Sequence, residues 1–336
     1  MYLKYLPALA VAASTIFLTP DAHAQDYVAK IGHLDPPTTA RHRTLEDVAA
    51  QVAEATNGAV EFQIFPSSQL GNPREIIEGV QLGTIEGTVI PAAFLTGFNS
   101  AVAIFDIPYI MPSDREMAQK LRTGPFGDAV LATFEDKGFV ALDIWANGRK
   151  AFTSNKDITS PDSFEGQRFR VMNSNILIEQ FDAMNASAIA LPFAELYTAL
   201  QNGVVDGQEN PLDIIERMRF YEVQTNLYVT DHGAIEDVVA FNPGWWNSLP
   251  EEYRTAITEI IEKNSAVMDK RKAEDEAASL ETLRELGMNV VVAGEEERAA
   301  IRDMTYEPAK AAYIERAGDV GEELIGIYEQ ELKALQ

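Results

Sequence analysis

The chain has 336 residues, too many for one compact hydrophobic core, and its length points to two domains. Forty-six per cent hydrophobic and 24 per cent charged residues exclude disorder, while a net charge of -25 argues against nucleic acid and against anionic membrane surfaces as partners. Cysteine is absent, so there is no disulfide and no thiolate chemistry.

The chain opens with Lys4, an apolar run from Tyr5 to Leu18 and the small-x-small site Ala22-His23-Ala24. These features predict a secretory signal peptide over residues 1–24 and a mature chain starting near Gln25. No later segment approaches the length of a membrane span. Tyr27 to Gly32 alternates as a first strand, and His33 sits at its end before the turn Asp35-Pro36-Pro37, where open α/β sheets meet their ligands. Leu45, Val48, Ala49, Val52 and Ala55 share one face of a helix over Arg43 to Ala55 that Gly58 stops. Val60 to Phe65 is the next strand. Asn72 then stands as N-cap, with Pro73 at the first position of a helix. A strand over Gly87 to Ile90 continues the alternation, which predicts an α/β class with largely parallel sheets. A helix is expected around Phe126 to Lys137, then a strand from Val140 to Trp145 leading into Ala146-Asn147-Gly148-Arg149-Lys150.

The stretch from Gly166 to Pro211 carries the strongest functional signal. It reads as a short strand with Arg170 near its end, a helix from about Ser174 to Met184, and a second helix that stops at Gly203. A polar turn is expected to hold Gln208, Glu209 and Asn210. Arg170 offers a two-pronged cationic fork and Asn210 a donor and an acceptor, the equipment for holding and orienting a carboxylate. Farther on, Tyr228 to His232 and Val238 to Phe241 read as strands separated by Gly233. Glu251 to Leu286 contains neither glycine nor proline and predicts a helix about 54 Å long, at ~1.5 Å per residue. Met288 to Ala293 supplies one more strand, and Glu295 to Leu335 is mostly helical.

The wording Arg-Val-Met-Asn-Ser at 170–174 and Phe-Ala-Glu-Leu-Tyr-Thr-Ala-Leu-Gln-Asn-Gly-Val-Val-Asp-Gly-Gln-Glu-Asn-Pro at 193–211 resembles the periplasmic substrate-binding proteins of TRAP (tripartite ATP-independent periplasmic) transporters, the DctP-type family. Phe105-Asp106-Ile107-Pro108-Tyr109-Ile110 and Asp114-Arg115-Glu116 match the same family, and the likeness runs from about Val28 to Arg316. The corner Asn147-Gly148-Arg149 departs from the family's Asn-Gly-x-Arg, because here arginine follows glycine directly, leaving Arg149 and Lys150 as rivals for one position.

The resemblance implies an α/β, two-domain periplasmic binding protein fold with a central ligand cleft and a long helix bracing both domains. Domain I would comprise residues 25–147 and 236–275, and domain II residues 148–235 and 276–336. It also implies a periplasmic receptor that delivers a small organic acid to a pair of membrane permease subunits driven by an ion gradient. Arg170 would form a two-pronged salt bridge with the ligand carboxylate, Asn210 would bond the same head group, Arg149 would add a second cation and Phe193 would cover the apolar face. His33 and Asn72 would reach the far end of the ligand from the opposite lip, and Glu236 and His232 would stand at the crossover between domains. Those far-end groups suit a sugar acid, a uronate or an aldonate; a C4-dicarboxylate, a sialic-acid-like sugar or a 2-oxo acid is the alternative.

An enzyme reading finds little to build on. Only His33, His42 and His232 remain in the mature chain, and no nucleophile elbow, zinc-binding helix, P-loop or dinucleotide fingerprint occurs. A periplasmic hydrolase is therefore the minor alternative; no metal or cofactor is expected. Nor does the net charge forbid an anionic ligand. A charge ~20 Å away contributes about 0.2 kcal/mol in water, whereas a charge-assisted bond to Arg170 contributes roughly 1.5 to 3 kcal/mol.

Overall fold

The structure, a computed structural model, describes residues 26–336, so the expected signal peptide and Gln25 lie outside the described residues. Among the described residues ten strands form: β1 Tyr27–Gly32, β2 Val60–Phe65, β3 Gly87–Pro91, β4 Val140–Ser154, β5 Arg168–Val171, β6 Ser187–Ala190, β7 Gly207–Pro211, β8 Asn226–Val229, β9 Ala234–Phe241 and β10 Asn289–Val292. Their order is β2-β1-β3-β9-β4-β7-β5-β6, with β8 joining β4 to β10.

Residues 140–149 of β4 pair with β9, while residues 150–154 pair with β7 and β8. The change of partner falls between Arg149 and Lys150, directly after a bulge at Ala146/Arg149 where Gly148 takes φ +98. One strand therefore belongs to both halves of the sheet, and a fold of two lobes results. The expectation of largely parallel sheets needs correction. β1–β2, β1–β3, β5–β6, β5–β7 and β8–β10 are parallel, but every pair made by β4 or β9 is antiparallel. The cause is that β4 and β9 run against the βα alternation as long crossing strands.

The helix starts follow local chemistry. Asn72 caps the helix Pro73–Leu82 in a capping box with Glu75, and Asp114 caps Arg115–Thr123. The expected helix around Phe126 to Lys137 is shorter, Pro125–Ala132, followed by a single turn at Glu135–Lys137.

The helix Glu251–Glu285 has 35 residues and, at ~1.5 Å each, extends about 52 Å. Ile257, Ile261 and Met268 sink into the core around Trp145 and Val239, whereas Leu283 enters the core around Phe152 and Phe169. Arg43 and Asp47 tie it to the first lobe through Asp275 and Arg271, and Lys272 ties it to Asp213 of the second. It is the brace the sequence implied. The helices Glu295–Ala317 and Asp319–Leu335 reach across as well: Tyr313 donates to the Ala101 carbonyl at 2.9 Å and Glu331 accepts from the Phe126 amide at 2.6 Å.

Candidate ligand cleft

Arg170 is the last residue but one of β5 and is 1% exposed. Its Nε and Nη2 both donate to the Leu191 carbonyl, at 3.0 and 2.8 Å, and its guanidinium lies 6.0 Å over the Phe193 ring. No acid among the described residues forms an ion pair with it. Burial pushes its pKa down to about 10, against the opposing field of Glu209. A buried cation without a counter-ion is costly, and an anionic guest removes that cost.

Behind Arg170 lies a closed polar network. Glu209 accepts from Lys150 Nζ at 2.7 Å and from Gln180 Nε2 at 2.7 Å, and it pairs with His232 Nε2 at 2.9 Å. Burial works against the Glu209 charge, but Lys150 and His232 outweigh it and hold the carboxyl far below the usual range. His232 lies flat on Phe152, ring centroids 3.7 Å apart, and burial lowers its pKa to about 4. Gln208, Glu209 and Asn210 therefore sit on a strand and are buried, where a polar turn was expected. Their side chains are polar because this network needs them.

Arg170, Asn210 and Phe193 line one cavity, together with Met172 and Ile214. The facing wall is made of Leu34, Asp35, Pro91, Phe94, Asn147 and Ile235. The Asn210 amide nitrogen donates to Gln208. Behind the facing wall Arg41 donates to Asp237 at 2.7 and 2.8 Å, and its Nη1 lies 3.1 Å from Asp35 Oδ2. Burial raises the Asp237 pKa to about 6, with Arg41 opposing. The space open to the centre of a water molecule is about 20 Å³, so a solute enters only if the walls part.

The other expected site residues stand elsewhere. Asn72 caps its helix and lines an outer cavity of about 300 Å³ that includes Arg74, Phe98, Asn173 and Leu191 and shares Phe94 with the inner one. Arg149 and Glu236 line a separate small cavity with Arg115, Arg122 and Asp269. There Arg149 pairs with Asp231 and donates to the Met111 carbonyl at 3.1 Å, and Glu236 accepts from Arg122 at 3.2 Å. Lys150, the rival of Arg149, is committed to Glu209. His33 Nε2 lies 3.0 Å from His42 Nδ1, and burial, Arg41 and His42 push its pKa far below the usual imidazole range, so its ring is neutral. Asp35, Phe94 and Asn147 were not singled out by sequence reasoning. The available signal was position: Asp35 follows the end of β1, and Asn147 precedes the glycine that breaks β4.

The family model described as bacterial extracellular solute-binding protein, family 7, matches residues 31–316. The C4-dicarboxylate-binding periplasmic protein DctP of Rhodobacter capsulatus is 30% identical over 310 residues, 91% of this chain and 92% of the relative. The 2,3-diketo-L-gulonate-binding periplasmic protein YiaO of Escherichia coli is 29% identical over 285 residues, 84% of this chain and 86% of the relative. Among solved structures, a TRAP periplasmic solute binding protein from Desulfovibrio salexigens with bound orotic acid is 55% identical, with a TM-score of 0.91 over 92% of this chain and 100% of that one. One from Sulfurospirillum deleyianum with bound succinate is 30% identical, TM-score 0.83, over 90% and 100%.

Proposed function

We propose, from the premise that this chain belongs to the bacterial extracellular solute-binding proteins of family 7, the DctP family of TRAP receptors, that its solute is a flat, carboxylated heterocycle of the orotate class. The chain is a receptor of small organic acids and not an enzyme. The observation that carries the reading is Arg170: a buried guanidinium without an acid partner among the described residues, opening on a cavity walled by Phe94, Phe193, Pro91, Met172, Ile214 and Ile235. The cation takes the carboxylate, and the aromatic and aliphatic walls take a ring. The expected sugar acid was to reach His33 and Asn72 with its far end, and neither lines this cavity. The 55% identity to a receptor holding orotic acid supports the ring.

Binding proceeds by closure. Arg170, Asn210 and Phe193 approach the solute from one lobe, and Leu34, Asp35, Pro91 and Phe94 from the other, so the solute stabilises the closed arrangement selectively. Gly148 and the change of strand partner beside it support a division of the lobes near residue 148. The leader at residues 1–24 delivers the receptor to the periplasm, where the closed face meets the TRAP permease subunits.

A thermal-shift series on the mature chain tests this with orotate, galactonate and succinate. Orotate is expected to raise the melting point most, since at a hundred times Kd mass action adds about 2.7 kcal/mol to the stability. A large shift with galactonate or succinate, and none with orotate, overturns the ring assignment.

A further inference from the structure

The cavity wall facing Arg170 carries hydrogen-bond acceptors with unfilled capacity. Asn147 is 3% exposed, and its Nδ2 donates to Asp237 Oδ1 at 3.3 Å, which fixes the amide and leaves Oδ1 buried without a partner among the described residues. Asp35 is 5% exposed, and its Oδ2 lies 3.1 Å from Arg41 Nη1 without the alignment of a hydrogen bond. Arg41 directs its other two nitrogens at Asp237, so one guanidinium serves two carboxylates and this wall keeps an excess negative charge.

We propose that Asp35 and Asn147 read the end of the solute remote from its carboxylate, accepting from ring N–H groups and rejecting a second carboxylate. This rests on the receptor reading above and adds what the far wall selects. A buried acceptor left unfilled disfavours a solute that offers no donor. A second carboxylate, as in succinate, meets like charge at Asp35 with no cation free to balance it, while the first is already matched to Arg170. The solute class that satisfies both walls is a monocarboxylate on a cyclic imide or ureide, with an imide N–H on the side of the ring away from the carboxylate.

Isothermal titration of the wild-type and Asp35→Asn proteins with orotate, benzoate and succinate tests it. Benzoate keeps a flat ring and one carboxylate but has no N–H. Wild type is expected to bind orotate at least about tenfold tighter than benzoate, the scale of one well-buried hydrogen bond, and succinate weakest of the three. In Asp35→Asn the preference for orotate over succinate is expected to shrink about tenfold or more, with benzoate changed by less than about threefold. An unchanged ratio of orotate to succinate overturns the role of Asp35. Equal binding of orotate and benzoate by wild type overturns donor reading by either residue, and it does so even if Asp35→Asn fails to fold. Tight binding of both that is lost in Arg170→Met leaves the receptor reading standing while this inference falls. Binding of neither by wild type overturns the proposed solute class itself.

Discussion

Replacing Arg170 by methionine keeps most of the side chain's length and removes its charge. Two of the five N–H donors of a guanidinium go to Leu191, leaving three for a solute. A carboxylate that takes two of them gains about 1.5 to 3 kcal/mol from each charge-assisted bond, so the substitution is expected to cost about 3 to 6 kcal/mol of binding. At about 1.4 kcal/mol per decade this is roughly a 10²- to 10⁴-fold rise in Kd. Stability without solute behaves differently. Arg170→Met orphans the Leu191 carbonyl, at about 1 to 3 kcal/mol, but it also removes a buried cation that has no paired acid, and the two effects oppose. Titration calorimetry with orotate, run beside urea unfolding without solute, separates the two quantities. Arg170→Lys keeps the charge but cannot hold Leu191 and a planar carboxylate together, and it is expected to fall between the two proteins. A Kd for Arg170→Met within about threefold of wild type, or a weaker Kd that merely tracks loss of folded protein, refutes the reasoning.

Gly148→Ala forces a side chain onto φ +98 and drives its Cβ into Glu276 and Lys272 of the bracing helix; a loss of about 1 to 3 kcal/mol is expected in urea unfolding, and a neutral result contradicts the hinge geometry. Lys150→Met leaves Glu209 charged and buried beside neutral His232, and about 3 to 5 kcal/mol of stability is expected to be lost, part of it regained in the Lys150→Met, Glu209→Gln double variant. Burial raises the Glu236 pKa to about 7, with Arg122 opposing. Because the folded value lies above the unfolded one near 4.5, this group's contribution to stability is complete below about pH 4.5 and is lost as pH rises through about 7. In Glu236→Gln the stability profile between pH 4.5 and 7 is expected to lose that component, at most about 1.4 kcal/mol per pH unit; superimposable profiles count against it.

Arg170 was legible because it stands one residue before the end of a short strand, and the 35-residue helix because no glycine or proline interrupts it. Phe193 and Asn210 were legible through the same stretch of sequence, and the structure gathers them with Arg170 at one cavity. What failed was long-range. Nothing local in Val140–Ser154 announces a strand of 15 residues, because its last third is fixed by partners at residues 207–211 and 226–228. Gln208 to Asn210 resembled a turn because polarity usually marks a surface, yet Lys150, Gln180 and His232 meet Glu209 in the interior. Arg149 and Glu236 are each polar and near the crossover, but which side of the sheet they face depends on the bulge at Ala146/Arg149, a matter of register that spacing does not reveal. His33 met His42, nine residues away, across a strand-to-helix turn.

The most direct measurement is a crystal structure of the mature protein grown with orotate. The account predicts the carboxylate on the free edge of Arg170, the ring between the Phe94 and Phe193 walls, and Leu191 still accepting from the same guanidinium. A solute seated in the outer cavity by Asn72 and Arg74, with Arg170 contacting only Leu191, contradicts it.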